Sequence, residues 1–334
     1  MNDFAVHVIH VKTFSVMNKF FLVLCGPTGS GKTDLSYALA QRFAIEVING
    51  DVGQLYAPLS IGTAKPAWQE SSIPHHLFDY VTQPRDCTVV EYRALVQKTL
   101  AEIWQRNALP VVVGGSFFYL RALFFPPEET TVVHGRDAEP SSATTQELWQ
   151  QLFSIDPDRA QSIHANDRYR IQRALALWQA TGNLPSQRKP QYHPVADFHV
   201  TCVVRDRDDL YHRIDERVLT MLQQGWIEEV AGLDTAWRSF LMRKKILGYP
   251  EIITCLDHND ANSCRTDKDL VEILQQKTRN YAKRQMTFWR GFKKDLMKEA
   301  GADVVAEVDL TLSSVDLYLN HTQQVIEGRL KGVT

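Results

Sequence analysis

The stretch FFLVLCGPTGSGKTDLSYALA, residues 20–40, constrains the fold more than any other part of the chain. Its first six residues form a short, continuous apolar run, the pattern of a parallel strand buried on both faces. Gly26, Pro27, Thr28, Gly29, Ser30, Gly31, Lys32 and Thr33 then match G-x-x-x-x-G-K-[ST], and Leu35, Ala38 and Leu39 return at helical spacing. A strand, a glycine-rich turn and a helix in that order aim backbone N–H groups at one point, where an anion binds. Lys32 adds a point charge, and the Thr33 hydroxyl can hold Mg²⁺. Such loops serve kinases, ATPases, GTPases and some enzymes that use no nucleoside triphosphate, so the loop fixes a phosphate site and leaves its ligand open.

The next segments repeat the alternation. AIEVINGD, residues 44–51, reads as a second strand ending at Asp51. Thr88 and Glu91 form a capping box for a helix carrying Tyr92, Leu95, Val96, Leu100 and Ile103, and PVVVGGS, 110–116, is a third buried strand. This pattern predicts an α/β fold with a P-loop, doubly wound parallel sheet. Residues 124–145 are rich in Pro, Ser, Thr and acid and read as a linker. Thr144 and Glu147 begin a helix, and 163–182 gives another that Gly182 ends, so a small helical domain is inserted at 126–194. Strand resumes at 198–205, and helix dominates to about residue 300. The expected organisation is a disordered extension at 1–16, a core at 17–125 and 195–300, the insertion at 126–194 and a tail at 301–334.

Charge narrows the partners. Lys and Arg number 37 against 39 Asp and Glu, so no global positive field advertises nucleic-acid binding and any such binding needs a local patch. QKTRNYAKRQMTFWRGFKK, 276–294, supplies one, with seven basic residues, four aromatics and no acid. As a helix it sets Leu270, Ile273, Leu274, Tyr281 and Phe288 on one side with Lys277 and Arg284, and Arg279, Lys283 and Arg290 on the other, a stripe suited to RNA phosphates. The five cysteines, Cys25, Cys87, Cys202, Cys255 and Cys264, show no CxxC or finger spacing and fit a reducing cytoplasm. No apolar run approaches the roughly 18 residues of a membrane span. His75 and His76 are adjacent and point apart, a poor start for a metal site.

Two features bear on the ligand of the loop. The strand at 110–113 ends in Gly114-Gly115-Ser116, without the acid that a nucleoside triphosphatase places there to support Mg²⁺. The carboxylate at a strand end is instead Asp51. In LYHRIDERVLTML, 210–222, Leu210, Ile214, Val218, Met221 and Leu222 form a buried stripe, and Arg213 and Arg217 lie four apart beside it, placed so that one could clamp phosphate.

GPTGSGKT, DVGQLY, IGTAKP, PHHLFD, VVVGGSFFYLRAL, IHANDRYRIQRAL, RIDERV, LGYPE and KTRNYAKRQMTFWR follow one another over about 20–294, and in this series the chain closely resembles the bacterial tRNA dimethylallyltransferases. The resemblance implies transfer of a dimethylallyl group from dimethylallyl diphosphate to N6 of the adenine just 3′ of the anticodon of tRNA. It implies Asp51 as the base, Ser116 in place of the family's usual Thr, and Lys32, Arg217 and the loop around the diphosphate, with Mg²⁺ on Thr33. It further implies tRNA contacts by Asp51, Val52, Gly53, Gln54 and Ser116, by Tyr169, Arg170, Ile171, Gln172 and Arg173, and by Lys283, Arg284, Gln285, Thr287 and Arg290. The partners implied are the anticodon stem-loop of tRNA and dimethylallyl diphosphate, in a cytoplasmic monomer without membrane association. Val52-Gly53 departs from the family's Asp-Ser-x-Gln, Pro250 stands where Lys or Arg is common, and the insertion is short. The rival readings are an adenylate isopentenyltransferase acting on free nucleotide, a nucleotide or small-molecule kinase, and an idle RNA-binding relative.

Overall fold

In a computed structural model of the protein, which describes residues 19–127, 143–188 and 191–331, the apolar run before the loop is β1 (Phe20–Cys25) of a six-stranded sheet. After β1 come α1 (Lys32–Ala40), β2 (Ile45–Asn49), β3 (His75–His76), α2 (Val89–Gln105), β4 (Leu109–Gly114) and α3 (Phe117–Ala122). The chain then forms α4 (Thr145–Ile155), α5 (Pro157–Gln161) and α6 (Arg168–Thr181). It continues through β5 (Asp197–Val204), α7 (Arg207–Gln223), α8 (Trp226–Ala231), α9 (Thr235–Lys244), α10 (Tyr249–His258), α11 (Ala261–Thr266) and α12 (Lys268–Ala300). It ends in β6 (Val305–Asp309) and α13 (Val315–Lys331). The strand order is β3-β2-β4-β1-β5-β6, and every pairing is parallel.

Alternation along the strands divides the core of the sheet. Leu22, Leu24, Val47 and Val111 share one apolar cluster with Leu35 and Leu39 of α1 and Leu319 and Ile326 of α13. Phe21 and Phe198 belong to a group of rings with Phe124 and with Phe292 of α12, the Phe124 and Phe198 centroids lying 4.5 Å apart. A parallel sheet clothed in helices needs apolar side chains at both parities, which is why FFLVLC shows no polar alternation. The segment from 301 onward, for which the sequence offered no element, supplies the sixth strand and a covering helix.

The chain divides into two compact units, one formed by residues up to Phe124 and from His193 onward, the other by Phe125–Tyr192. The larger unit holds its own chain ends together: His193 N–H donates to Phe124 O (2.8 Å) and Val195 N–H to Leu123 O (2.9 Å). The buried Arg93 guanidinium donates to Ala122 O, Leu123 O and His193 O, each at 2.7 Å. The smaller unit packs α4, α5 and α6 around Leu148, Leu152, Ile163, Ile171 and Leu175. Thr144 and Glu147 close a full capping box at α4. At α2, Thr88 accepts the Glu91 N–H, and the Glu91 carboxylate pairs with Arg85. The extension at 1–16 lies outside the described residues, as does most of the linker expected at 124–145. The cysteine spacing suggested no pairing, yet Cys255 and Cys264 are joined in a disulfide between α10 and α11; Cys25, Cys87 and Cys202 are free and buried.

Candidate active site

Gly31 caps α1 at φ 95°, a left-handed conformation that a side chain would disfavour, and this turn swings the loop under the start of the helix. Lys32 Nζ donates to Gly26 O (3.0 Å) and Pro27 O (2.9 Å). From α7, Arg213 Nε donates to Gly29 O (3.0 Å), so the first arginine of the pair grips the loop backbone. Burial lowers the Lys32 pKa, with the Asp51 carboxylate opposing the shift. Burial also lowers that of Arg217, again against Asp51. Both cations therefore stand in a desolvated place where an anion would be held strongly. These groups line one cavity of about 810 Å³, together with Thr33, Ser116, Tyr281 and Arg284. Every residue lining it belongs to the larger unit.

Asp51 sits just beyond the end of β2, facing the end of β4 across the sheet. Gly115 N–H donates to its Oδ1 (2.6 Å), and Ser116 Oγ lies 3.3 Å from the same oxygen. Val52 N–H donates to Ser116 Oγ (2.9 Å), and the Tyr281 phenol lines the same cavity. A hydroxyl has one proton and two acceptor sites, so Ser116, which accepts from Val52, has its proton free to donate to Asp51 Oδ1. Burial, then the Asp51 charge, raise the Tyr281 pKa well above its ordinary value against the opposing effect of the Ser116 hydroxyl, keeping the phenol protonated. Asn49 buttresses the other side: its Oδ1 accepts Asp51 N–H (2.8 Å) and its Nδ2 donates to Leu77 O (3.0 Å). Tyr281 was read from the sequence only as part of a buried stripe. Its site role was visible, if at all, in lying four residues before Gln285 on a helix.

The structure brings most of the expected site residues together. Thr28, Gly29, Gly31, Lys32, Thr33, Asp51, Val52, Gly53, Gln54, Ser116, Arg217, Arg284 and Gln285 all line the cavity. Lys283, Thr287 and Arg290 lie elsewhere on α12 and are exposed. In the smaller unit, Tyr169, Arg170 and Arg173 are exposed and Gln172 is half-buried.

Several expectations are corrected. Ile171, counted among the RNA contacts, is fully buried in the small core and has no surface to offer. Gln285, counted with it, is only 5% exposed and bonds within the protein. Gln54 spends its amide protons on Thr63 O and Ala64 O. Arg284, expected on the core side, is exposed, with its guanidinium 5.9 Å from the Tyr281 ring centroid. Ile273 and Phe288, expected inward, are 45% and 37% exposed, because the buried seam of α12 runs through Leu274, Thr278, Ala282, Gln285, Trp289 and Phe292. Arg279, expected on the open stripe, pairs with Asp215. His76 is taken by Glu46, which Arg106 also holds.

Comparison with known proteins agrees with this geometry. The family model described as IPP transferase matches residues 54–292, and one described as isopentenyl transferase matches 19–77. A tRNA dimethylallyltransferase of Geobacter sulfurreducens is 35% identical over 80% of this chain and 88% of its own length. The solved full-length tRNA isopentenylpyrophosphate transferase of Bacillus halodurans superposes with a TM-score of 0.64 at 30% identity, covering 94% of this chain and 98% of that one. A eukaryotic dimethylallyltransferase solved acting on tRNA superposes with a TM-score of 0.69 at 28% identity, covering 87% and 74%. A match that runs from the residues after Asp51 to the end of the basic stretch on α12, with relatives aligned over most of their own length, assigns the chain to the IPP transferase family.

Proposed function

We propose that this protein transfers a dimethylallyl group from dimethylallyl diphosphate to the exocyclic N6 of the adenine just 3′ of the anticodon in tRNA, releasing diphosphate. The observation that carries the reading is one cavity that joins an oriented carboxylate, Asp51, to a desolvated cationic cradle of loop amides, Lys32 and Arg217. The adenine amine is a weak nucleophile because its lone pair is delocalised into the ring. As N6 bonds to the allylic carbon, Asp51 takes its proton, and the carbon–oxygen bond breaks with its electron pair leaving on diphosphate. Charge accumulates on that leaving group, and donors already fixed around it lower the barrier without reorganising. The target base reaches a carboxylate inside a cavity only by leaving its stack.

Among the described residues no cluster of His, Cys, Asp and Glu could hold a metal unaided. The hard hydroxyl oxygen of Thr33, which lines the cavity, suits Mg²⁺ and would be its protein ligand. When bound there, Mg²⁺ would neutralise charge on the leaving diphosphate. The exposed Lys283, Arg284 and Arg290 on α12, with Tyr169, Arg170 and Arg173 of the smaller unit, are the surfaces assigned to the anticodon stem-loop, and they favour tRNA over free nucleotide. The reading takes the protein as a monomer, since one chain completes the cavity, and as cytoplasmic, where tRNA is; among the described residues no helix is long and apolar enough to cross a membrane.

Incubation with labelled dimethylallyl diphosphate, Mg²⁺ and unmodified tRNA is expected to label the tRNA, and Asp51→Ala to reduce the rate at least a hundredfold while tRNA binding persists. Label on free AMP, or phosphate released from ATP without prenylation, would refute the reading.

A further inference from the structure

We infer that Gln285 is a positioning residue that sets the diphosphate loop in register with the Asp51 base; the inference rests on the functional reading above. Gln285 lies on the buried seam of α12. Its Oε1 accepts the Thr28 N–H (3.0 Å), inside the loop, and its Nε2 donates to Gly115 O (2.8 Å). The Gly115 N–H is the donor that holds Asp51 Oδ1 at 2.6 Å. One planar carboxamide thus joins the leaving-group cradle to the residue that aims the base. Across the fold it links three segments separated by 170 and 257 positions in the chain.

Three features make the amide specific at this place. It needs an acceptor and a donor on adjacent atoms of one flat group, which the carboxamides of Gln and Asn supply, and Asn is one methylene short. Its burial gives the Thr28 N–H and Gly115 O little water to replace it, so its loss leaves both unpaired. The seat is also closed against variation at Gly115, where a β-carbon would stand 2.4 Å from Nε2 and 2.7 Å from Gly26 O. The residue is committed on both edges to protein groups, which leaves RNA recognition on α12 to its exposed neighbours.

The test compares wild type with Gln285→Met, which keeps length and shape without the two bonds, and Gln285→Glu, which keeps an acceptor for Thr28 but turns an oxygen and a charge toward Gly115 O. Affinity for inorganic pyrophosphate with Mg²⁺, affinity for an anticodon stem-loop RNA, and steady-state transfer are measured on all three, with thermal melting as the fold control. Gln285→Met is expected to weaken pyrophosphate binding about tenfold and to lower transfer at least as much, with RNA affinity within twofold. Gln285→Glu should weaken pyrophosphate binding further through charge repulsion, which keeps the test decisive if the Met variant does not fold. Unchanged pyrophosphate affinity with a lowered melting temperature would overturn the inference and leave a packing role. Lost RNA affinity with unchanged pyrophosphate affinity would overturn it in favour of an RNA contact. Either result with active wild type leaves the functional reading intact, whereas wild type that neither binds pyrophosphate nor transfers label overturns both.

Discussion

Ser116 ties the Asp51 carboxylate to the Val52 backbone, and Tyr281 lines the cavity with it. Tyr281→Phe keeps the ring and removes one donor. It is expected to lower kcat for transfer about fivefold, the worth of one buried hydrogen bond, with KM for RNA and diphosphate within twofold. Ser116→Ala should cost more, because it removes a direct partner of the Asp51 carboxylate. Steady-state kinetics on the two single variants decide this; a larger loss in Tyr281→Phe than in Ser116→Ala would refute it. At this scale the sequence was most informative where chemistry demands a motif. The loop and Asp51 were visible because phosphate cradles and strand-end carboxylates leave patterns, whereas Ser116 came in through the family resemblance. Tyr281 left none, and Arg213 showed only as one of a spaced pair, since a helical plot gives the direction of a side chain and says nothing of what stands opposite.

The long helix α12 shows what periodicity can and cannot place. Its existence and basic character were legible, but its buried face was turned by a fraction of a turn from the plotted one. A plot at constant angle assumes one partner along the whole length, whereas this helix of 33 residues packs in turn on α10, α7, α3 and β6. Ala282 meets Leu210 and Ile214 of α7, and Trp289 packs on Phe117 at the start of α3. The seam follows these neighbours, and Gln285 lies inside it for that reason. Lys283 stays on the outer side under either description. Lys283→Ala is expected to weaken stem-loop binding and to reduce the slope of log affinity against log salt by about 0.7 to 0.9, one phosphate contact, when binding is titrated across salt concentrations. An unchanged slope would make that side chain a solvated one only. The strand β6 escaped notice because VAEVD is short and half-exposed, with Glu307 drawn out to Lys293 and Trp289.

For the whole molecule, the last strands and helix bring a titrating group into the core. His199 of β5 is 2% exposed, and its ring lies 5.9 Å from that of His321 on α13. Burial first, then the nearby His321 and Arg329 charges, push its pKa down to about 4, with Asp303 opposing. Between about pH 6.5 and 4 the unfolded chain binds a proton here that the folded chain refuses. Stability is therefore full above the unfolded value and falls with pH through this window, by about 3 kcal/mol for the group alone. Thermal unfolding at pH 7 and pH 4.5 should show a larger loss for wild type than for His199→Leu; parallel losses would refute it. A different consequence follows from the place where the chain leaves and re-enters the larger unit. Because Phe124 and His193 are already bonded to each other and stapled by Arg93, the intervening residues need span almost no distance. Lengthening or trimming such an excursion costs only about 0.6 kcal/mol for each doubling. The helical unit is thus inserted at a point where a change in its length leaves the cavity of the larger unit undisturbed.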